Sequence, residues 1–157
     1  MRITTKGRYA LRATLALAEM SKNGENISIN SLSEAEDISP VFLEQIFFKL
    51  RKAGIVKSVR GPGGGFSFAL PLEAISVREI FFAAGEELDV LSCDRKTEDC
   101  KRESDCICHK LITSATDLIN KYFGEVTLQM LLVNEGFRPK DKSSKTLHDT
   151  IMDNQES

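Results

Sequence analysis

The chain has 157 residues, of which 41% are hydrophobic and 28% charged, with a formal net charge of −2. This suits one compact globular domain plus some extension, with the cytoplasm as the expected location, and no apolar run reaches the ~18 residues that a membrane span needs. The small net charge hides an asymmetry: residues 1–70 carry ten Lys/Arg against six Asp/Glu, and residues 71–157 carry eleven against seventeen. A basic first half joined to an acidic second half suggests a polyanion-binding module with something else attached.

The opening, MRITTKGRYALRATLALAEM, is basic at its start. Arg12 and Thr14 interrupt its apolar residues and Glu19 ends them, so it reads as an amphipathic helix and not as a signal peptide. Leu11, Leu15 and Ala18 recur at helical spacing and predict a helix from about Lys6 to Ser21, stopped by Gly24. Ile29 to Glu36 predicts a short helix, and Asp37-Ile38 a tight turn. Ser39 followed by Pro40 supplies a capping hydroxyl and a proline at the first helical position. Leu43, Ile46, Phe47 and Leu50 then follow i, i+3, i+4, i+7 and form a buried stripe. Arg51 and Lys52 complement the dipole in the last turn, and Gly54 closes the helix.

The next stretch, SVRGPGGGF, places four glycines and a proline in the five positions Gly61 to Gly65, directly after Arg60. A phosphate-binding loop would end in Gly-Lys-Ser/Thr and lead into a helix, but here Phe66 follows the last glycine. Phe66, Phe68 and Leu70 alternate with Ser67 and Ala69, which is a strand period, and IVKSVR before the glycines is rich in β-branched residues. The glycines therefore join two strands of a hairpin with an arginine at its tip.

A helix pair with a tight turn, followed by a hairpin, describes a winged helix-turn-helix. Its second helix would enter the major groove of DNA, with Ser39, Val41, Glu44, Gln45 and Lys52 on or beside the outward face. Gln45 suits adenine, Glu44 suits cytosine and Lys52 a phosphate. Phe48 shares that face, and packing under the wing is the expectation for it. Arg60 at the wing tip would reach a phosphate or the minor groove, with Gly61 and Gly63 letting the backbone approach closely.

SVREIFFAAG over 76–85 predicts another short helix. A longer one is expected from about Ser104 to Gly124, where Leu111, Ala115, Leu118 and Tyr122 step by helical spacing beside Ile112 and Ile119. That seam is wide and suits pairing with a second helix. TLQMLLV over 127–133 predicts a last short helix, and the polar chain beyond it a disordered tail.

All four cysteines lie in CDRKTEDCKRESDCICH, where Cys93, Cys100, Cys106 and Cys108 precede His109. In a cytoplasmic chain this clustering suggests metal or redox chemistry and not a structural disulfide pattern. Only Cys106 and His109 have the two-residue spacing of a zinc knuckle. An iron–sulfur cluster accepts the longer gaps, and a thiol/disulfide switch is a third reading; the residues alone leave all three open. No paired carboxylates or nucleophile arrangement indicates an enzyme.

MRITTKGRYALRA, SPVFLEQIFFKLRKAGIVKSVRGPGGGF and the cysteine loop together resemble the IscR family of bacterial winged-helix iron–sulfur cluster regulators, over Met1 to about Leu132. The resemblance implies a homodimer binding a pseudo-palindromic double-stranded DNA operator and controlling genes such as those of iron–sulfur biogenesis. It implies a 2Fe–2S cluster on Cys93, Cys100, Cys106 and His109; Cys108, an extra thiol that departs from the family pattern, is the alternative to His109. It also implies a role for Glu44 in rejecting one operator class. The expected fold class is mostly α with a small β-hairpin. Residues 1–84 form the winged helix-turn-helix, 85–108 the cysteine-bearing loop, 104–135 the dimerisation helix and short last helix, and 136–157 the tail. Leu111, Ile112, Ala115, Leu118, Ile119 and Tyr122 are the expected dimerisation residues.

Overall fold

The computed structural model describes residues 3–21, 24–89 and 106–133; Cys93, Cys100 and the expected tail over 136–157 lie outside them. Helix α1 spans Thr5–Met20, and its N-cap Thr4 accepts a hydrogen bond from Gly7 N through its side chain. Its fully buried residues are Ala10, Ala13, Thr14 and Leu17, while Leu11 and Leu15 are only partly covered. Of the expected stripe, Ala18 is buried, while Leu11 and Leu15 pack at the edge of the core. The reason is position: α1 packs against α2 (Ile29–Glu36), α3 (Pro40–Lys52) and α4 (Val77–Ala84), and small side chains let those neighbours approach. The helix ends at Met20 with Ser21 as its cap, three residues before Gly24.

The turn between α2 and α3 is tight because Asp37 adopts a left-handed conformation at φ 52°. Ser33 then holds the following residue, its hydroxyl donating to the Ile38 carbonyl at 2.7 Å. Helix α3 starts at Pro40, as the sequence indicates, but the Ser39 hydroxyl makes no capping bond; its carbonyl instead accepts from Phe42 N and Leu43 N at 3.0 Å. The buried face of α3 is Leu43, Ile46, Phe47 and Leu50, the stripe read from the spacing. Burying one such side chain stabilises by roughly 1.5–3 kcal/mol, so this face anchors the helix in the core.

Strands β1 (Val56–Val59) and β2 (Gly65–Phe68) pair antiparallel, Val56 opposite Phe68 and Val59 opposite Gly65. Phe66 packs on Phe47 with ring centroids 4.9 Å apart, which fixes the wing to α3. Ile27 joins the hairpin from the other side, exchanging backbone bonds with Phe66 at 2.8 and 2.9 Å. A side chain at Gly65 would meet the Ile27 carbonyl at 2.4 Å, so this bridge requires glycine there.

A single 3-10 turn over Leu72–Ala74 leads to α4, which carries a full capping box between Ser76 and Glu79. Helix α5 covers Ile107–Glu125 and α6 Leu128–Val133. Backbone bonds from Val77 N to Val126 O at 2.9 Å and from Leu128 N to Ile75 O at 3.0 Å stitch the end of α5 to the start of α4. Phe81 and Phe123 meet edge to face at 5.3 Å beside Val77, Leu88 and Val126, forming a second, smaller core. No helix of the described residues is long and apolar enough to cross a membrane.

Candidate functional site

The outward face of α3 follows directly from its buried one. Because Leu43, Ile46, Phe47 and Leu50 point inward, Val41, Glu44, Gln45 and Phe48 point away at i, i+3, i+4, i+7. Together with Lys49 they line a shallow open groove. Val41 is 65% exposed and Phe48 57%, so two large apolar side chains face solvent on this ridge. The expectation that Phe48 packs under the wing is corrected. The inward positions beside it are already filled by Phe47, so Phe48 turns outward. The Arg51 guanidinium lies 5.6 Å from its ring centroid and donates to the Ser58 hydroxyl at 3.0 Å, tying the ridge to β1.

Ser39 and Lys52 are exposed at the two ends of α3, and Arg60 is exposed at the wing tip. Arg60 makes no hydrogen bond or ion pair with the described residues, so its charge is available to a ligand. Gly61 and Gly63 sit at positive φ, 95° and 71°, in open space. Gly64 is held for a different reason, since a Cβ there would lie 2.4 Å from the Val59 carbonyl. The structure thus places Ser39, Val41, Glu44, Gln45, Lys52, Arg60, Gly61 and Gly63 at the surface of α3 and the wing.

Near this surface lies a buried carboxylate that the sequence reading missed. Glu86 docks on the start of α1, accepting from Thr4 N at 3.1 Å, from Gly7 N at 3.0 Å and from the Thr4 hydroxyl. Burial by itself would raise the Glu86 pKa. The hydrogen bonds from Thr4 and Gly7, with the Lys6 charge, outweigh it and leave the carboxyl below its ordinary 4.5. This is anion binding at a helix N-terminus, supplied from 79 residues away.

The third feature is the first turn of α5. Cys106 holds its N-cap position without making a side-chain capping bond, and both Cys106 and Cys108 are free thiols. Cys106 is extended at φ −76° and ψ 109°, and His109 follows three residues later in the first turn of the helix. Cys108 is exposed and His109 is partly covered. A thiol and an imidazole at the positive end of a 19-residue helix suit a thiolate-bound metal or cluster. Among the described residues no group of three or more His, Cys, Asp or Glu is gathered to hold a metal ion; Cys93 and Cys100 lie outside them.

From its first residue onward α5 also carries Ile107, Leu111 and Leu118, which are 81%, 69% and 66% exposed and form an uncovered apolar stripe. Ile112, Ala115 and Ile119 flank it and are partly covered. Tyr122 packs into the second core of its own chain. Ile107 extends the stripe by one turn and was not singled out from the sequence, although its spacing from Leu111 carried the signal.

Residues 3–134 match the family model Rrf2, described as an iron-dependent transcriptional regulator. The transcriptional regulator IscR of Vibrio cholerae is 38% identical over 143 residues, covering 90% of this chain and 82% of that one. A Neisseria meningitidis protein named provisionally as an HTH-type transcriptional regulator is 42% identical over 132 residues, covering 84% and 88%. Among solved structures, CymR of B. subtilis, described as its global cysteine regulator, aligns with a TM-score of 0.69 at 28% identity, covering 87% of this chain and 99% of that one. IscR of T. potens aligns with a TM-score of 0.68 at 26% identity, covering 94% and 96%. These relatives are named as regulators of transcription, a role that is not enzymatic.

Proposed function

The chain belongs to the Rrf2 family of transcriptional regulators, and we propose that it is a homodimer whose choice of DNA operator responds to a 2Fe–2S cluster. The observation that carries this reading is the start of α5, where Cys106 caps the helix with a free thiol and His109 follows in the first turn. Cys93 and Cys100 would complete the ligand set of three thiolates and one imidazole, with Cys108 as the alternative fourth ligand. When bound, such a cluster supplies iron- and redox-dependent occupancy with a net charge of about −1 at a helix N-terminus.

The chain's own residues provide the response. Helix α3 enters the major groove, where Gln45 reads adenine, Glu44 reads or repels, and Val41 and Phe48 meet thymine methyl groups. Lys52 reaches a phosphate, and Arg60 reaches a phosphate or the minor groove from the wing. The stripe of Leu111 and Leu118, flanked by Ile112, Ala115 and Ile119, pairs with the same stripe of a second copy. The pair of α3 helices then falls on half-sites about one helical turn apart, which matches a pseudo-palindromic operator. Leu88, buried against Val77 and Phe81, and Glu86, buried against α1, anchor the chain just before the cysteine-bearing segment. They offer a short covalent route from Cys93 to the DNA-binding domain.

The test is anaerobic purification, with visible absorption, iron and sulfide assay, and operator binding before and after cluster removal. Two irons and two sulfides per chain, lost in Cys106→Ala and His109→Ala while dimerisation survives, support the reading. A colourless protein that cannot be reconstituted sinks it. The second reading, a thiol switch without a cluster, would then stand on the exposed free thiol of Cys108.

A further inference from the structure

Thr113 lies one turn beyond His109 on α5, and its Oγ1 is the one buried side-chain hydrogen-bonding atom without a partner among the described residues. A threonine inside a helix has a ready partner in the carbonyl four residues back. Helix α1 shows that bond: the Thr14 hydroxyl donates to the Ala10 carbonyl at 2.5 Å. For Thr113 the equivalent carbonyl belongs to His109, and the bond is not made. A buried hydroxyl without a partner gives up its hydrogen bond to water and gains none in return.

The account of that missing bond lies in the preceding turn. Helical Cα–Cβ bonds tilt toward the N-terminus, so a side chain at i+4 covers the turn that begins at i. Thr113 therefore overlies the turn of His109, whose ring also makes no hydrogen bond among the described residues. A histidine that binds a metal through one ring nitrogen nearly always donates the other N–H to an oxygen, which sets its tautomer and orientation. We propose that Thr113 Oγ1 accepts the N–H of the His109 ring nitrogen that faces away from the cluster. Thr113 is thus a positioning residue, and the inference rests on the cluster-binding reading above.

The experiment uses the full chain, purified anaerobically, as Thr113→Val and Thr113→Ser beside the unchanged protein. Valine keeps the shape and removes the hydroxyl, and serine restores it. Each is assayed for iron and sulfide per chain, for the rate of cluster loss to a chelator, and for the nitrogen couplings of the reduced cluster by pulsed electron paramagnetic resonance. The melting temperature of the cluster-free protein is measured alongside. The expected result is that all three assemble a cluster and that Thr113→Val loses it roughly tenfold faster or more. Its histidine nitrogen couplings change, while the cluster-free form melts no lower because an unsatisfied hydroxyl has been removed. Thr113→Ser matches the unchanged protein. Thr113→Val with unaltered cluster retention and couplings, or Thr113→Ser behaving like valine, overturns the inference and leaves the cluster reading standing. An unchanged protein that binds no cluster overturns both.

Discussion

Replacing Gly7 by alanine tests whether Glu86 organises the start of α1. A Cβ at Gly7 would lie 2.7 Å from Glu86 Cγ, 2.8 Å from Cδ and 3.0 Å from Oε1. The carboxylate must then withdraw from Thr4 N, Gly7 N and the Thr4 hydroxyl together. One hydrogen bond to a charged group is worth about 1.5–3 kcal/mol, and the freed amides recover part of the loss by meeting water. Alanine returns up to about 1 kcal/mol of helix propensity. The balance is a destabilisation of about 1–3 kcal/mol, or a fall in melting temperature of roughly 3–10 °C. Thermal and urea unfolding at neutral pH measure it. In a Glu86→Ala background the obstructing atoms are gone, so the same Gly7→Ala change should become neutral or stabilising. Equal destabilisation in both backgrounds, or none in the first, would refute the reasoning. The carboxyl also sets a pH dependence. Its folded pKa lies below the ordinary 4.5, so its contribution is complete above that value and is lost as the pH falls through the folded pKa. The stability gap between the unchanged protein and Glu86→Gln should therefore be full at neutral pH and close in acid.

Phe47→Ala should cost about 3–5 kcal/mol in chemical denaturation, because Phe47 is fully buried and also seats the wing through Phe66. Arg60→Ala should weaken operator binding, with the salt slope of log K reduced by about one in titrations at several ionic strengths, and should shift stability by less than about 0.5 kcal/mol. Joint replacement of Leu111 and Leu118 by glutamate should give monomers in sedimentation analysis with unchanged helical circular dichroism, since both side chains are exposed within one chain.

The sequence by itself determined the elements whose signals are local. The α3 stripe was legible because a helix with one covered face must repeat its apolar residues every 3.6 positions. The wing was legible because clustered glycines between alternating apolar residues suit a hairpin and not a phosphate loop, and the outward face of α3 followed by geometry. The spacing of Cys106 and His109 suggests metal or redox chemistry, and nothing in it chooses among metals.

Tertiary structure decided what depends on distant neighbours. The centre of the covered face of α1 is Ala10, Ala13 and Leu17, with Leu11 and Leu15 at its edge, because helices approach it from several sides and the closest approach favours small side chains. Phe47 and not Phe48 seats the wing, because Phe66 meets Phe47 on the buried side of α3 while Phe48 stays exposed. Gly7 and Glu86 meet across 79 positions, and no pattern within either segment records that meeting. The unsatisfied Thr113 hydroxyl is likewise a fact of packing, since threonine is unremarked in a helix until its partner is found absent. Local periodicity encodes which residues want cover; only the assembled chain settles which of them receive it.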